Sequence, residues 1–194
     1  FIGSLTASAA AQAAYAVSYT QLFSLITWTS VGIMGAAAAV AGQNLGAGDG
    51  DRAAKAVRVS SRIGLLMAVS IGLLFLFFPK QLLAIFGMNE PEVVEIGVQL
   101  LRVLSLSGLF VTVALSYTGG LQGTGDTKSP LYISIISQII IPLGICFVIQ
   151  QTSTLDPIDI WIAILLGHIT RCTLSVLRFN QGKWRSIKID IEGK

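Results

Sequence analysis

At 194 residues, with 53% hydrophobic and 12% charged side chains, the chain lies outside soluble globular usage, where about a quarter of residues are charged. Its net charge of +3 does not mark a nucleic-acid binder, because the basic residues cluster at the ends of apolar runs, as membrane topology signals do. Residues 1–48 contain no Asp, Glu, Lys or Arg; a soluble surface needs such groups, whereas hydrocarbon excludes them when unpaired.

Five apolar runs reach the length of ~20 residues needed to cross a bilayer. The first, residues 7–45, is too long for one perpendicular crossing and too free of breakers for two. It predicts one long tilted helix, preceded by the last residues of another helix ending near Gly3 and Ser4. The second, 54–78, stops at Pro79 and Lys80. The third starts at Pro91, a residue suited to a first helical turn, and runs to about residue 119. The fourth, 130–148, carries Pro142 inside, which neighbouring helices tolerate in a membrane by satisfying the freed carbonyl. The fifth, 157–179, has Trp161 near its start and Trp184 beyond its end, placed as interfacial aromatics. The expected fold is all-α: a polytopic transmembrane bundle of five full spans plus the end of a preceding helix over residues 1–185, then a tail at 186–194.

Flanking charge sets the expected orientation. Arg52, Lys55, Arg58 and Arg62 follow the first span, and Glu90, Glu92 and Glu95 outweigh Lys80 after the second. Asp126 and Lys128 follow the third, Asp156 and Asp159 the fourth. The tail holds Arg178, Lys183, Arg185, Lys188 and Lys194. The positive-inside rule then puts the N-terminus outside and the C-terminus in the cytoplasm. Cys146 and Cys172 lie in apolar runs without His or Cys partners and read as core residues, with neither a disulfide nor a metal site expected. No cleavable signal peptide is evident, and a start without Met in mid-hydrophobic text suggests a fragment.

Two glycine clusters, Gly42-Gln43-Asn44-Leu45-Gly46-Ala47-Gly48-Asp49 and Gly119-Gly120-Leu121-Gln122-Gly123-Thr124-Gly125-Asp126, do not read as phosphate loops. They follow helices rather than strands, and neither closes in Gly-Lys-Ser/Thr. They predict tight turns and close helix approach. Gly32, Gly35, Ala36, Ala39, Gly42 and Gly46 recur at three- and four-residue spacing and predict a packing seam along the first helix.

Taken as a pair, the clusters resemble the two cytoplasmic signatures of multidrug and toxic compound extrusion (MATE) transporters. Ile141-Pro142-Leu143, Ile160-Trp161-Ile162-Ala163 and Gly182-Lys183-Trp184 fit the same pattern. The resemblance implies two six-helix lobes around a central cavity, with this chain as most of the second. It implies a secondary active antiporter in the cell (inner) membrane that exports amphipathic or cationic small molecules in exchange for Na⁺ or H⁺, without a cofactor. Its partners would be the substrate, the bilayer and the missing N-terminal lobe. A polar cavity residue about six turns before Gly42 maps to Gln21. The coupling carboxylate of many members maps to Val111, and beyond the opening residues Glu92, Glu95 and Asp159 the five runs contain no Asp or Glu. The coupling acid is therefore expected in the first lobe, which favours a DinF-like branch.

Further candidate contacts are Trp28, Thr112 and Gln138, with His168 and Arg171 three apart on one face of the fifth helix. Arg102 sits within snorkelling reach of the headgroups. The alternative is a flippase of the same wider superfamily that moves a lipid-linked oligosaccharide or lipid precursor, which would favour more deep basic residues than Arg171 alone. An intramembrane enzyme would need a convergent nucleophile and base or a metal constellation, and His168 without an intramembrane carboxylate does not supply one.

Overall fold

The computed structural model describes residues 1–5 and 8–187. A short 3-10 turn, Ile2–Ser4, stands where the end of a preceding helix was expected. Helix α1 (Ser8–Tyr15) passes through a π-helical segment (Ala16–Leu22) into α2 (Ser24–Gly46). The first run is thus one helical course, apolar over the 38 residues Ala9–Gly46. At 1.5 Å per residue it measures about 57 Å, far beyond a hydrocarbon core of ~30 Å, so it must tilt or project. The expected start at residue 7 lies outside the described residues, as do Lys188 and Lys194 of the tail.

Helix α3 (Gly50–Phe77) follows a tight turn in which Gly48 takes a φ of 82°, open to glycine at little cost. Asp49 caps α3 by accepting from the Arg52 N–H at 2.8 Å. The second span ends at Phe77, directly before Pro79, as expected. Pro79 opens a short helix, α4 (Pro79–Ile85), whose Leu83 is buried against Gly97. The three remaining courses are α5 (Pro91–Gly123), α6 (Lys128–Ile135) continued through a π segment (Ile136–Ile140) into α7 (Ile141–Thr152), and α8 (Pro157–Asn180). The π turn lies directly before Pro142, which has no N–H for the carbonyl of Gln138 and whose ring crowds that turn. Here proline widens the helix instead of breaking it.

Helix α5 is the central post. Half of its apolar window is buried, against 17–33% for the other four spans, and α1, α2, α3 and α8 all pack on it. The closest approach is made by glycine. A Cβ on Gly119 would strike the Met34 backbone, and one on Gly123 would strike the Ala38 backbone. On α2, Gly42 meets the Gly123 carbonyl, with an added Cβ only 2.6 Å from its oxygen. Gly32, Gly35 and Gly46 have nothing within 4 Å, and Ala36 and Ala39 are exposed. The seam therefore lies on the α5 glycines and Gly42, and the rest of the expected small-residue row faces away from the bundle.

Both tryptophans expected at the interface turn inward: Trp161 and Trp184 are buried at 0% and 1% exposure. Trp184 lies in a 3-10 turn, Lys183–Ser186, beyond α8. Beside it, the Arg185 guanidinium meets Asp51 at 2.7 Å. That contact brings the basic connection at 52–62 and the start of the basic tail to one end of the bundle. Cys146 packs in the core and Cys172 is half-buried; both are free.

At the same end, Asp126 ties the Thr124–Thr127 turn to α8. Arg178 donates to its Oδ2 through Nε at 2.9 Å and an η nitrogen at 2.7 Å, and Ser129 donates through its hydroxyl at 2.8 Å and its N–H at 3.1 Å. Burial alone would raise the Asp126 pKa, but the hydrogen bonds from Ser129 and Arg178 and the nearby guanidinium charge outweigh it and hold the carboxyl below 3.8. A carboxyl depressed on folding contributes stability above its unfolded pKa and loses it as pH falls through the folded value. Asp126→Asn should destabilise the protein by about 2 kcal/mol at neutral pH and remove part of the acid-dependent loss below about pH 4. Thermal unfolding of the purified protein across that range checks both; an unchanged acid limb refutes the assignment.

Candidate functional site

The structure sorts the sequence candidates into two places. Gln21 and Trp28 lie on the outer side of the first course. Gln21 is exposed within the π segment and Trp28 is 73% exposed on α2. Leu25 between them is also exposed, so residues 21, 25 and 28 present one uncovered face. The other candidates lie inward. Thr112, 1% exposed, exchanges a hydrogen bond of 2.7 Å with Ser30 and so joins α5 to α2. Arg102 is exposed on α5 beside Lys80, Glu95 and Gln99, in keeping with a surface role.

Around α8 the structure assembles a polar and aromatic layer. Tyr15, Tyr19 and Phe23 follow one another at four-residue spacing through the π segment, with ring centroids 4.9 Å and 5.4 Å apart. Trp161 stacks on Tyr15 at 5.9 Å, and the His168 ring lies 6.1 Å from Phe23. Tyr19 stands within electrostatic range of Arg171. The ladder is readable only in retrospect, from Tyr15, Tyr19 and Phe23 spaced as neighbours on one helix face.

This layer holds several buried polar atoms with no hydrogen-bond partner among the described residues. They are both ring nitrogens of His168, Nε of Arg171, Nε2 of Gln138, Nε1 of Trp161 and the hydroxyl of Ser18. His168 is 4% exposed. The neighbouring π segment abuts it closely, since a Cβ on Gly167 would lie 2.5 Å from the Ser137 carbonyl oxygen. Buried polar groups in native proteins are nearly always satisfied, so a cluster left open marks a place where water or a ligand belongs. Below Arg171 a cavity of about 550 Å³ opens between α2, α5, α6 and α8.

The comparisons with known proteins agree with this architecture. A family model described as MatE matches residues 1–148. The chain belongs to the MatE family. A "Probable multidrug resistance protein NorM" of Thermotoga maritima is 30% identical over 161 residues, 83% of this chain and 34% of that protein. Human "Multidrug and toxin extrusion protein 1" is 27% identical over 165 residues, 85% of this chain and 29% of that protein. The crystal structure of the eukaryotic MATE transporter AtDTX14 superposes on 95% of the chain and 41% of that structure, with a TM-score of 0.82 at 20% identity. At that identity the match speaks for the fold. The chain spans about a third of the length of the curated relatives it matches.

Proposed function

We propose that this MatE-family chain forms part of the second lobe of a secondary active efflux antiporter, exporting amphipathic or cationic small molecules in exchange for Na⁺ or H⁺. The first lobe would lie against the open face of α2 and close a central cavity with it. The observation carrying this reading is that face itself. Gln21, Leu25 and Trp28 stand uncovered, followed by Gly32 and Gly35, which meet nothing within 4 Å among the described residues, and by the exposed Ala36 and Ala39. An amide and an indole beside small residues suit both ligand contact and close helix approach.

The coupling acid belongs in that reading to the first lobe, because Val111 and its buried neighbours on α5 offer no carboxylate. The basic end that carries Arg52, Arg58 and Arg185 would face the cytoplasm. Alternating access would follow from the two lobes rocking about the shared cavity.

In the complete protein, Gln21→Ala should slow export of at least one substrate roughly two- to ten-fold, the range expected for one lost hydrogen bond. Efflux from loaded cells, normalised to the amount of protein in the membrane, reads this directly. Unchanged export of every compound tested removes Gln21 from the cavity.

A further inference from the structure

The cavity beneath Arg171 has a chemistry that the export of cations does not call for. Its polar lining consists of Arg171, Lys128, Thr118, Gln122, Thr127 and Ser134, with an apolar wall from Met34, Leu115 and Leu131. Two cations line it and no carboxylate does. Among the described residues the ion pairs are Arg178 with Asp126 and Arg185 with Asp51, so neither Arg171 nor Lys128 is neutralised by a described carboxylate. Asp126, adjacent in sequence to Thr127, is consumed by Arg178 and Ser129. Arg171 is half-buried in a span whose end at Asn180 is nine residues on, about 14 Å along the helix, and its Nε has no partner. His168, one turn away on the same face, also has no hydrogen-bond partner among the described residues.

A guanidinium whose buried Nε has no partner at that depth is costly unless an anion or water meets it. The guanidinium fork matches a carboxylate or phosphate in two-point geometry, while a lysine ammonium adds a point charge and hydroxyl donors complete the shell. The space is an open groove of about 550 Å³, within the size range of small-molecule sites. The mixed wall suits a group that is anionic at one end and apolar at the other. We propose that this cavity between α2, α5, α6 and α8 binds an anionic oxygen group, a phosphate or carboxylate, held by Arg171 and Lys128. The inference needs the membrane-embedded fold but does not depend on which compounds are exported.

The test uses the complete protein in nanodiscs of phosphatidylcholine, to which phosphatidylglycerol, inorganic phosphate or acetate is added separately. Thermal unfolding reads stabilisation, and native mass spectrometry reads retained phosphatidylglycerol. At least one probe should raise the unfolding temperature of the wild type. Its apparent affinity should fall roughly ten-fold or more in Arg171→Gln and in Lys128→Gln, and stay unchanged in Arg58→Gln, an exposed cation outside the cavity. A response to phosphatidylglycerol alone assigns the group to a lipid headgroup; a response to phosphate or acetate in phosphatidylcholine assigns it to a soluble anion. Should Arg171→Gln fail to fold, Lys128→Gln decides, because Lys128 is exposed and its loss leaves the packing intact. No stabilisation by any probe, or equal weakening in Arg58→Gln, overturns the proposal.

Discussion

Gly123→Ala is expected to be among the most damaging single substitutions in this chain, although it adds only one methyl group. The new Cβ would lie 2.6 Å from the carbonyl carbon of Ala38, and its clash is with backbone rather than with a side chain that can rotate away. The same holds at Gly119, where the added atom would lie 2.9 Å from the Met34 carbonyl carbon. Relief requires α2 and α5 to separate, which strains the Ser30–Thr112 hydrogen bond and the Gly42 contact as well. Overpacking at a backbone contact costs about 3 kcal/mol, a large share of the stability of a single domain. Gly119→Ala/Gly123→Ala should therefore fail to yield monodisperse protein, and Gly123→Ala alone should lower the unfolding temperature clearly. Gly144→Ala, whose added Cβ meets nothing within 4 Å among the described residues, serves as the contrast. Wild-type thermal stability of Gly123→Ala would refute the seam.

Trp184→Ala should cost about 3–5 kcal/mol, the usual range for deleting a large buried aromatic. The indole is 1% exposed, stacks on Phe179 with centroids 4.9 Å apart, and donates from Nε1 to the Phe179 carbonyl at 2.7 Å. Tyr117 meets Phe179 edge-on at 5.3 Å, and the Arg185 guanidinium lies 5.1 Å from the Trp184 centroid while holding Asp51. Removing the indole leaves the last turn of α8 and the first turn of α3 without their common filling. Trp184→Phe keeps the stack and loses only the hydrogen bond, so about 1 kcal/mol is expected there. Thermal unfolding of both variants separates packing from hydrogen bonding; equal effects would mean that the hydrogen bond dominates.

The fold was legible because lipid imposes a simple alphabet. Runs free of charge, punctuated by Pro79, Pro91 and Pro157 and flanked by charges of alternating sign, place the spans to within a few residues. What stayed hidden were matters of facing. Trp184 looks like a headgroup anchor until one sees that the chain turns back at Gly182, whose φ is 71°, and folds the indole under Phe179. The stripe from Gly32 to Ala39 looks like a seam because small residues allow close approach, but periodicity alone does not say which helix, or which lobe, approaches. The candidate site divides in the same way. His168 and Arg171 can be picked out from their rarity in apolar text, whereas Lys128 reads as an ordinary end-of-helix charge until the structure puts it in a cavity with Arg171. Thr112 is the converse, a polar residue in a span whose hydroxyl goes to a neighbouring helix.

The wide turn in the first course solves a problem of winding. Ala10, Ala14, Ser18, Leu22, Ile26 and Ser30 are all buried, a repeat of four residues. On a regular helix of 3.6 residues per turn each such step overshoots by about 40°, so five steps would carry the last residue about 200° round from the first. The π segment at Ala16–Leu22 unwinds part of that precession, and α1 and α2 keep the same flank against α5 along nearly the whole course. Deleting a single residue there would restore ordinary winding and swing everything on its N-terminal side, Tyr15 and the aromatic ladder included, away from α8.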